Sequence, residues 1–334
     1  SLQTKMKLIR GVLLLSLLSL SIAIQYDCEN DFFDENFCLI SSLRASNEYP
    51  ACKMQFPEHK SIQLQFAHLE YLSPVLVYRM PTVERLDIFN SYVGKAFVKP
   101  ELEYLKISGC QLAEVFLDTK EEYQLTDLHL PANQLTRLPK NLNHLKNLTM
   151  LDLTSNRLDF LDMSQFNGLT NLLWIQLNDN YLKVIFADGS VNLPALTDLS
   201  MARNDIGLLD MSRWEIPLLQ EFYVSNNRLQ ELSGDFPKKF PQLRTVSLAE
   251  NQWDCEWQLR VRSELQQQNC TFEWFDCRDS AHSLATVKSL KKEQQMRQSL
   301  RDTLEQFAKN ATGTTAVDFD DIVDDLFCRM YGVQ

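Results

Sequence analysis

The stretch LTMLDLTSNRL, residues 148–158, sets the pattern that the middle of the chain repeats. Its spacing is L-x-x-L-x-L-x-x-N-x-L, with the fixed positions filled by Leu148, Leu151, Leu153, Asn156 and Leu158. Leu151 and Leu153 are two residues apart, so in a strand they point to one face while Asp152 points to the other. The stretch therefore predicts a short strand with one apolar side, followed by a turn that contains an asparagine.

The same frame recurs through most of the chain. It starts again at five leucines, each followed by an asparagine at the same offset: Leu125, Leu172, Leu196, Leu219 and Leu243, with Asn133, Asn180, Asn204, Asn227 and Asn251. Looser copies start at Leu102, at Val83 and near His59, which gives nine frames at spacings of 19 to 24 residues. This self-similarity is the signature of leucine-rich repeats. A leucine-rich helical protein is the alternative, but helical spacing does not account for the fixed asparagine.

One repeat cannot bury its leucines alone, so the copies must stack. We expect an α/β leucine-rich-repeat solenoid, a horseshoe of about nine repeats with a parallel sheet on its concave side. Stacked asparagines would satisfy buried backbone groups where each coil turns. The predicted organisation is a leader and signal peptide (1–23), an N-terminal cap (24–58), the repeats (59–254), a C-terminal cap (255–280) and a helical tail (281–334).

The start of the chain has the features of a secretory signal. Basic residues precede an apolar run, Val12 to Leu20, and small residues follow at Ser21 and Ala23. The run is shorter than the ~20 residues of a membrane span, so we expect no span. The net charge of -11 argues against binding to nucleic acid.

Eight cysteines in a secreted chain indicate disulfides. Six flank the repeats, where caps are expected to need cystines: Cys28, Cys38 and Cys52 before them, Cys255, Cys270 and Cys277 after them. We expect two of the first three to pair, and Cys255 to pair with Cys270 or Cys277. Cys110 occupies an asparagine position and is interpreted as structural and unpaired. Cys328 is the candidate for an interchain disulfide. A zinc site is disfavoured because no C-x-x-C occurs.

Three sequons could carry glycans in the secretory route: Asn147, Asn269 and Asn310. Asn147 is the favoured site because it precedes its strand at a solvent-facing turn.

The outward positions of the repeats supply candidates for a binding surface. Aromatic and charged residues stand out among them, and the candidates are Tyr104, His129, Asp152, Trp174 and Tyr223. A merely solvated face is the alternative. His129 with nearby aspartates does not indicate an enzyme, because an open sheet neither buries nor orients a triad and the known catalytic motifs are missing. No cofactor or metal is expected.

The tail changes to helical spacing. Ala281 to Lys309 is predicted as an amphipathic helix with weak coiled-coil character, and a second helix with an acidic side is predicted after Thr315. The apolar stripe of the second helix must pack on this chain or on a partner.

The repeats, the segment Trp253-Asp254-Cys255-Glu256-Trp257 and the helical, cysteine-bearing tail resemble the mosquito leucine-rich immune molecules. Trp257 stands where most animal repeat caps have a second cysteine, which is similar to this insect family. The resemblance is to a short member, because the tail is short. It implies a secreted haemolymph protein of innate immunity that binds other proteins: a second leucine-rich-repeat chain and a complement-like thioester protein. The alternative is an extracellular adhesion module or receptor ectodomain of the same fold.

Overall fold

The computed structural model of the protein describes residues 24–29, 37–45, 51, 54–233 and 235–273. These residues form two compact units: unit 1 contains those up to Leu158 together with 168–178, and unit 2 contains 159–167 and those from Asp179 onward. The expected signal peptide (1–23), the helical tail (281–334) and four candidate sites lie outside the described residues: Cys52, Cys277, Cys328 and Asn310.

Unit 1 is built on a parallel sheet whose strands come from successive repeats. Numbered in chain order and given in spatial order, they are β2 (Cys38–Ser41), β5 (Ser61–Gln65), β7 (Arg85–Phe89), β9 (Tyr104–Ser108), β11 (Asp127–His129), β12 (Met150–Asp152) and β14 (Trp174–Gln176). A second parallel sheet has the order β10 (Glu114–Phe116), β8 (Tyr92–Phe97), β6 (His68–Leu72) and β3 (Arg44–Ala45). Strand β1 (Ile24–Gln25) pairs with β4 (Met54–Gln55).

Unit 2 continues the same construction. Its main sheet contains β17 (Asp198–Ser200), β20 (Glu221–Tyr223), β21 (Thr245–Ser247) and β22 (Thr271–Phe272). Smaller parallel groups are β13 (Phe160–Asp162), β15 (Val184–Phe186) and β18 (Leu208–Leu209), and the pair β16 (Val191–Asn192) and β19 (Trp214–Glu215).

Helical structure is sparse in the described ranges. The α-helices are α1 (Pro74–Val77) and α2 (Cys255–Gln267), and 3-10 turns occur at Leu142–His144 and Met163–Phe166. No helix among the described residues has the length and apolar character needed to cross a bilayer. Each of the nine predicted frames contributes one main-sheet strand, and its paired apolar residues are buried, as at Leu151 and Leu153. The predicted leucine-rich-repeat solenoid is confirmed.

The asparagine ladder links one repeat to the next. In Asn133, Oδ1 accepts hydrogen bonds from the amides of Cys110 and Leu112, both at 3.0 Å. Its Nδ2 donates to the Ile107 carbonyl of the preceding repeat at 2.7 Å and to the Leu130 carbonyl of its own repeat at 3.1 Å. Asn133 is only 6% exposed, so these bonds satisfy buried backbone groups that water cannot reach.

Cys110 takes the asparagine position of its own repeat, as the sequence predicted. Its thiol is free and buried, and its Sγ donates to the carbonyls of Ser108 at 3.1 Å and Ile88 at 3.6 Å. Burial raises the pKa of the Cys110 thiol, which keeps it protonated and able to donate. A thiol therefore replaces the donor half of the asparagine amide but not its acceptor half.

A buried lysine fixes the loop between α1 and β7. Lys99 is 2% exposed, and its Nζ donates to the carbonyls of Met80, Pro81 and Val83 at 3.1, 2.8 and 3.2 Å. Burial lowers the pKa of Lys99. The ammonium replaces the hydrogen bonds that these three carbonyls would otherwise make with water.

The last described elements close the repeats with aromatic packing. The Asp254 carboxylate accepts hydrogen bonds from the Glu256 and Trp257 amides and so caps helix α2. The rings of Trp253 and Trp257 stack with centroids 4.3 Å apart, and Trp253 Nε1 donates to the Leu248 carbonyl at 2.7 Å. Trp257 is thus a buried packing residue of this cap.

The structure shows some of the predicted disulfide pairings. Cys28 and Cys38 form a disulfide with Cα atoms 4.9 Å apart, which is one of the pairings that the sequence left open. The alternative Cys255–Cys270 bond is wrong, because Cys270 has a free thiol buried beneath the cap. Burial raises the pKa of Cys270 to about 11. Cys255 is disulfide-bonded, and its other expected partner, Cys277, lies outside the described residues.

Candidate binding surface

The outward side chains of the main sheet in unit 1 form two rows across the strands. Strand register aligns Arg85, Tyr104, Asp127, Met150 and Trp174 in the first row. The second row contains Gln63, Asp87, Lys106, His129, Asp152 and Gln176. These eleven residues are called the unit 1 strand face. They alternate with buried leucines and isoleucines, so the repeat spacing itself directs them outward.

An arginine, a tyrosine and a histidine contact one another in sequence across this face. The Arg85 guanidinium lies 4.4 Å from the Tyr104 ring centroid, and the Tyr104 and His129 rings are 5.5 Å apart. Burial raises the pKa of Tyr104 and the nearby Asp87 carboxylate raises it further, so the phenol remains a hydrogen-bond donor. Aromatic residues and arginine are the side chains that most often dominate protein interfaces.

His129 lies between two carboxylates. Its Nε2 is 3.9 Å from Asp127 Oδ1, and its Nδ1 is 3.9 Å from Asp152 Oδ2. Burial raises the pKa of Asp152, but the neighbouring His129 ring and the hydrogen bond from the Thr154 amide together outweigh burial, so the pKa is lowered overall. The stability that Asp152 contributes is therefore fully present above its unfolded-state pKa. It is lost as pH falls through the lowered pKa of the folded state.

Three of the five predicted surface residues meet directly: Tyr104, His129 and Asp152. Trp174 lies on the same row as Tyr104, three strands along, which is about 14 Å at the usual strand spacing. It is 36% exposed, so a large apolar surface remains open to a partner. No group of His, Cys, Asp and Glu placed to hold a metal ion occurs in the part of the chain that the structure describes.

Tyr223 belongs to unit 2 and has a local role there. Its hydroxyl donates to Glu221 Oε2 at 2.6 Å. Burial, followed by the Glu221 carboxylate, raises the pKa of Tyr223 to about 12. The folded protein favours the protonated phenol. Tyr223 therefore stabilises the fold fully below the ordinary tyrosine pKa, and this stabilisation is lost as pH rises toward 12.

The sequence candidates include four of the eleven residues of the unit 1 strand face, and seven were not singled out. Three of these seven, Gln63, Arg85 and Asp87, lie in the first two frames, which are loose copies of the motif. The signal was nevertheless present. Leu86 and Ile88 have the spacing of the apolar strand pair, so Arg85 and Asp87 had to point outward.

The two described sequons are both on the surface. Asn147 is exposed, and its Nδ2 donates to the Tyr123 carbonyl at 2.9 Å, while Asn269 is exposed in the left-handed region with φ of 55°. Their glycosylation stays a prediction.

Comparison with known proteins agrees with this geometry. The leucine rich repeat family profile matches residues 146–206. Lumican from Mus musculus is 32% identical over 157 residues, covering 45% of this chain and 41% of lumican. Lumican from Oryctolagus cuniculus is 31% identical over 157 residues, covering 45% of this chain and 72% of that sequence. The chain spans only 6% of an adenylate cyclase from Podospora anserina and 9% of leucine-rich repeat serine/threonine-protein kinase 1 from Mus musculus.

Among solved structures, the LRIM1/APL1C complex matches with a TM-score of 0.53 at 17% identity, over 89% of this chain and 67% of that one. At this level of sequence identity, the similarity shows only that the two proteins share a fold.

Stacked repeats with an outward-facing strand surface define a protein that works by binding other proteins. The chain belongs to the leucine-rich-repeat protein family.

Proposed function

We propose that this chain is a secreted factor of insect innate immunity that binds a protein partner through the unit 1 strand face. The observation that carries the binding role is the series of contacts from Arg85 to Tyr104 to His129, which is flanked by carboxylates and lies on the same face as exposed Trp174. Rigid aromatic side chains supply contact area at small entropic cost. The immune role is supported by the resemblance of the Trp253–Trp257 segment and the tail, and by a fold shared with the LRIM1/APL1C complex.

The binding role is tested by capture from mosquito haemolymph on immobilised full chain. We expect Tyr104→Ala and Trp174→Ala each to weaken retention of the captured protein by about tenfold or more, the usual cost of truncating a central aromatic residue. Tyr181→Ala is the matched control, since Tyr181 is 57% exposed but not part of the strand face. Quantitative mass spectrometry measures retention and shows whether the captured protein is a complement-like thioester protein. Equal retention by all variants, or recovery of nothing above empty beads, would contradict the proposal.

A second prediction concerns pairing with another leucine-rich-repeat chain. If Cys328 forms an interchain disulfide, secreted protein should run at about twice its monomer mass on a non-reducing gel. The Cys328→Ser variant should run as a monomer, and Cys110→Ser serves as control because the Cys110 thiol is buried and free. Monomer in every lane would remove covalent pairing from the proposal and leave the strand-face role intact.

The alternative, an extracellular matrix or adhesion module, is favoured by the similarity to lumican. The same capture experiment separates the two. Recovery of matrix or cell-surface components in place of haemolymph immune proteins would support the alternative.

A further inference from the structure

Two buried acceptor oxygens belong to residues on neighbouring strands of the unit 1 strand face. Gln63 and Asp87 are register partners on β5 and β7. Gln63 Oε1 and Asp87 Oδ1 are each buried and without a hydrogen-bond partner among the described residues. Asp87 is only 9% exposed. An unsatisfied buried acceptor is costly, so two neighbouring ones are not expected in a surface that serves only to meet water.

The nearby basic side chains do not donate hydrogen bonds to these two oxygens. Lys106 and His129 each lower the pKa of Asp87 electrostatically, yet neither donates a hydrogen bond to its Oδ1. Arg85, two residues away on the same strand face, holds its guanidinium over the Tyr104 ring instead. Both orphan atoms are acceptors, so what is missing is a group rich in N–H donors.

We propose that Gln63 and Asp87 form a subsite that accepts a basic side chain, arginine or lysine, from the bound protein partner. The inference rests on the proposed function, because it assigns the chemistry of one contact within that interface. A guanidinium or ammonium carries several donors on one cation and can reach acceptors on two adjacent strands about 4.8 Å apart. Its hydrogen bond to a carboxylate is of the stronger, charge-assisted kind.

The decisive variant is Asp87→Asn. It removes the buried charge at constant shape, and its Nδ2 can donate to Gln63 Oε1, so the folded protein should melt at a higher temperature than wild type. The same change should weaken binding of Nα-acetyl-arginine amide about tenfold or more, because the charge-assisted bond is lost. NMR titration of the full chain measures binding, with Nα-acetyl-citrulline amide as the uncharged isostere. Glu231→Gln is the control for loss of an exposed carboxylate.

A rise in stability together with a loss of binding separates a ligand-binding role from a structural one. A lower melting temperature for Asp87→Asn, or equal binding of the arginine probe to wild type and variant, would overturn the proposal. Binding of spermidine but not of the arginine probe would also overturn it, since the subsite would then take a free polyamine. Burial raises the pKa of Asp87, so probe binding should already weaken at a pH above the ordinary carboxyl range.

The haemolymph capture distinguishes failure of the subsite from failure of the proposed function. If Tyr104→Ala loses the partner and Asp87→Asn retains it, the subsite is wrong and the strand-face role stands. If Tyr104→Ala, Trp174→Ala and Asp87→Asn all retain it, the strand-face role itself is wrong.

Discussion

Replacing Asn133 by alanine is expected to destabilise the protein by about 4 kcal/mol, because it removes both halves of one ladder amide at once. The Cys110 and Leu112 amides lose their acceptor, and the Ile107 carbonyl loses a donor at 2.7 Å. All of these groups are buried, so water cannot replace the lost partner. Denaturation by urea, followed by circular dichroism, measures the change. It is a large part of a typical stability of about 5–15 kcal/mol.

Two further variants make the Asn133 prediction specific. Asn143→Ala, at an exposed position of a 3-10 turn, should change the free energy of unfolding by less than about 0.5 kcal/mol. Asn133→Cys should fall between the two, since Cys110 shows that a thiol can supply the donor half of the ladder. If Asn133→Ala cost no more than Asn143→Ala, the ladder would not be a source of stability.

Replacing Lys99 by methionine should cost about 2–4 kcal/mol, because two buried hydrogen bonds and one partly buried hydrogen bond to backbone carbonyls are lost while the side chain keeps nearly the same volume. Lys95→Met is the matched control. Lys95 pairs with Glu114 at 2.9 Å on the surface, where an ion pair contributes at most about 1 kcal/mol.

Thermal and urea unfolding of the two lysine variants give the comparison. An increase in stability for Lys99→Met would mean that removing the desolvation cost of the buried ammonium outweighs the loss of its hydrogen bonds. Lys99 would then not be needed to hold the loop before β7.

Much of the fold was predictable because its determinants are local. Paired leucines at a spacing of two predict a strand, and nine frames predict nine stacked strands, all of which occur. The cysteines were less predictable: spacing left the pairings at both flanks open, and Cys270 proved to be free. Disulfide choice depends on which Cβ atoms face each other in three dimensions, and sequence distance does not determine that.

The binding surface, like the fold, was predictable only in part. The outward direction of residues such as Tyr104, His129 and Trp174 follows from the spacing of the repeats, because strand alternation is a property of the backbone. Which of these side chains touch one another depends on the folded structure. It placed the Arg85 guanidinium on the Tyr104 ring and left Gln63 and Asp87 with unpaired buried oxygens. Neighbours across a parallel sheet come from different repeats, and their side-chain contacts depend on packing between coils, which no single repeat encodes.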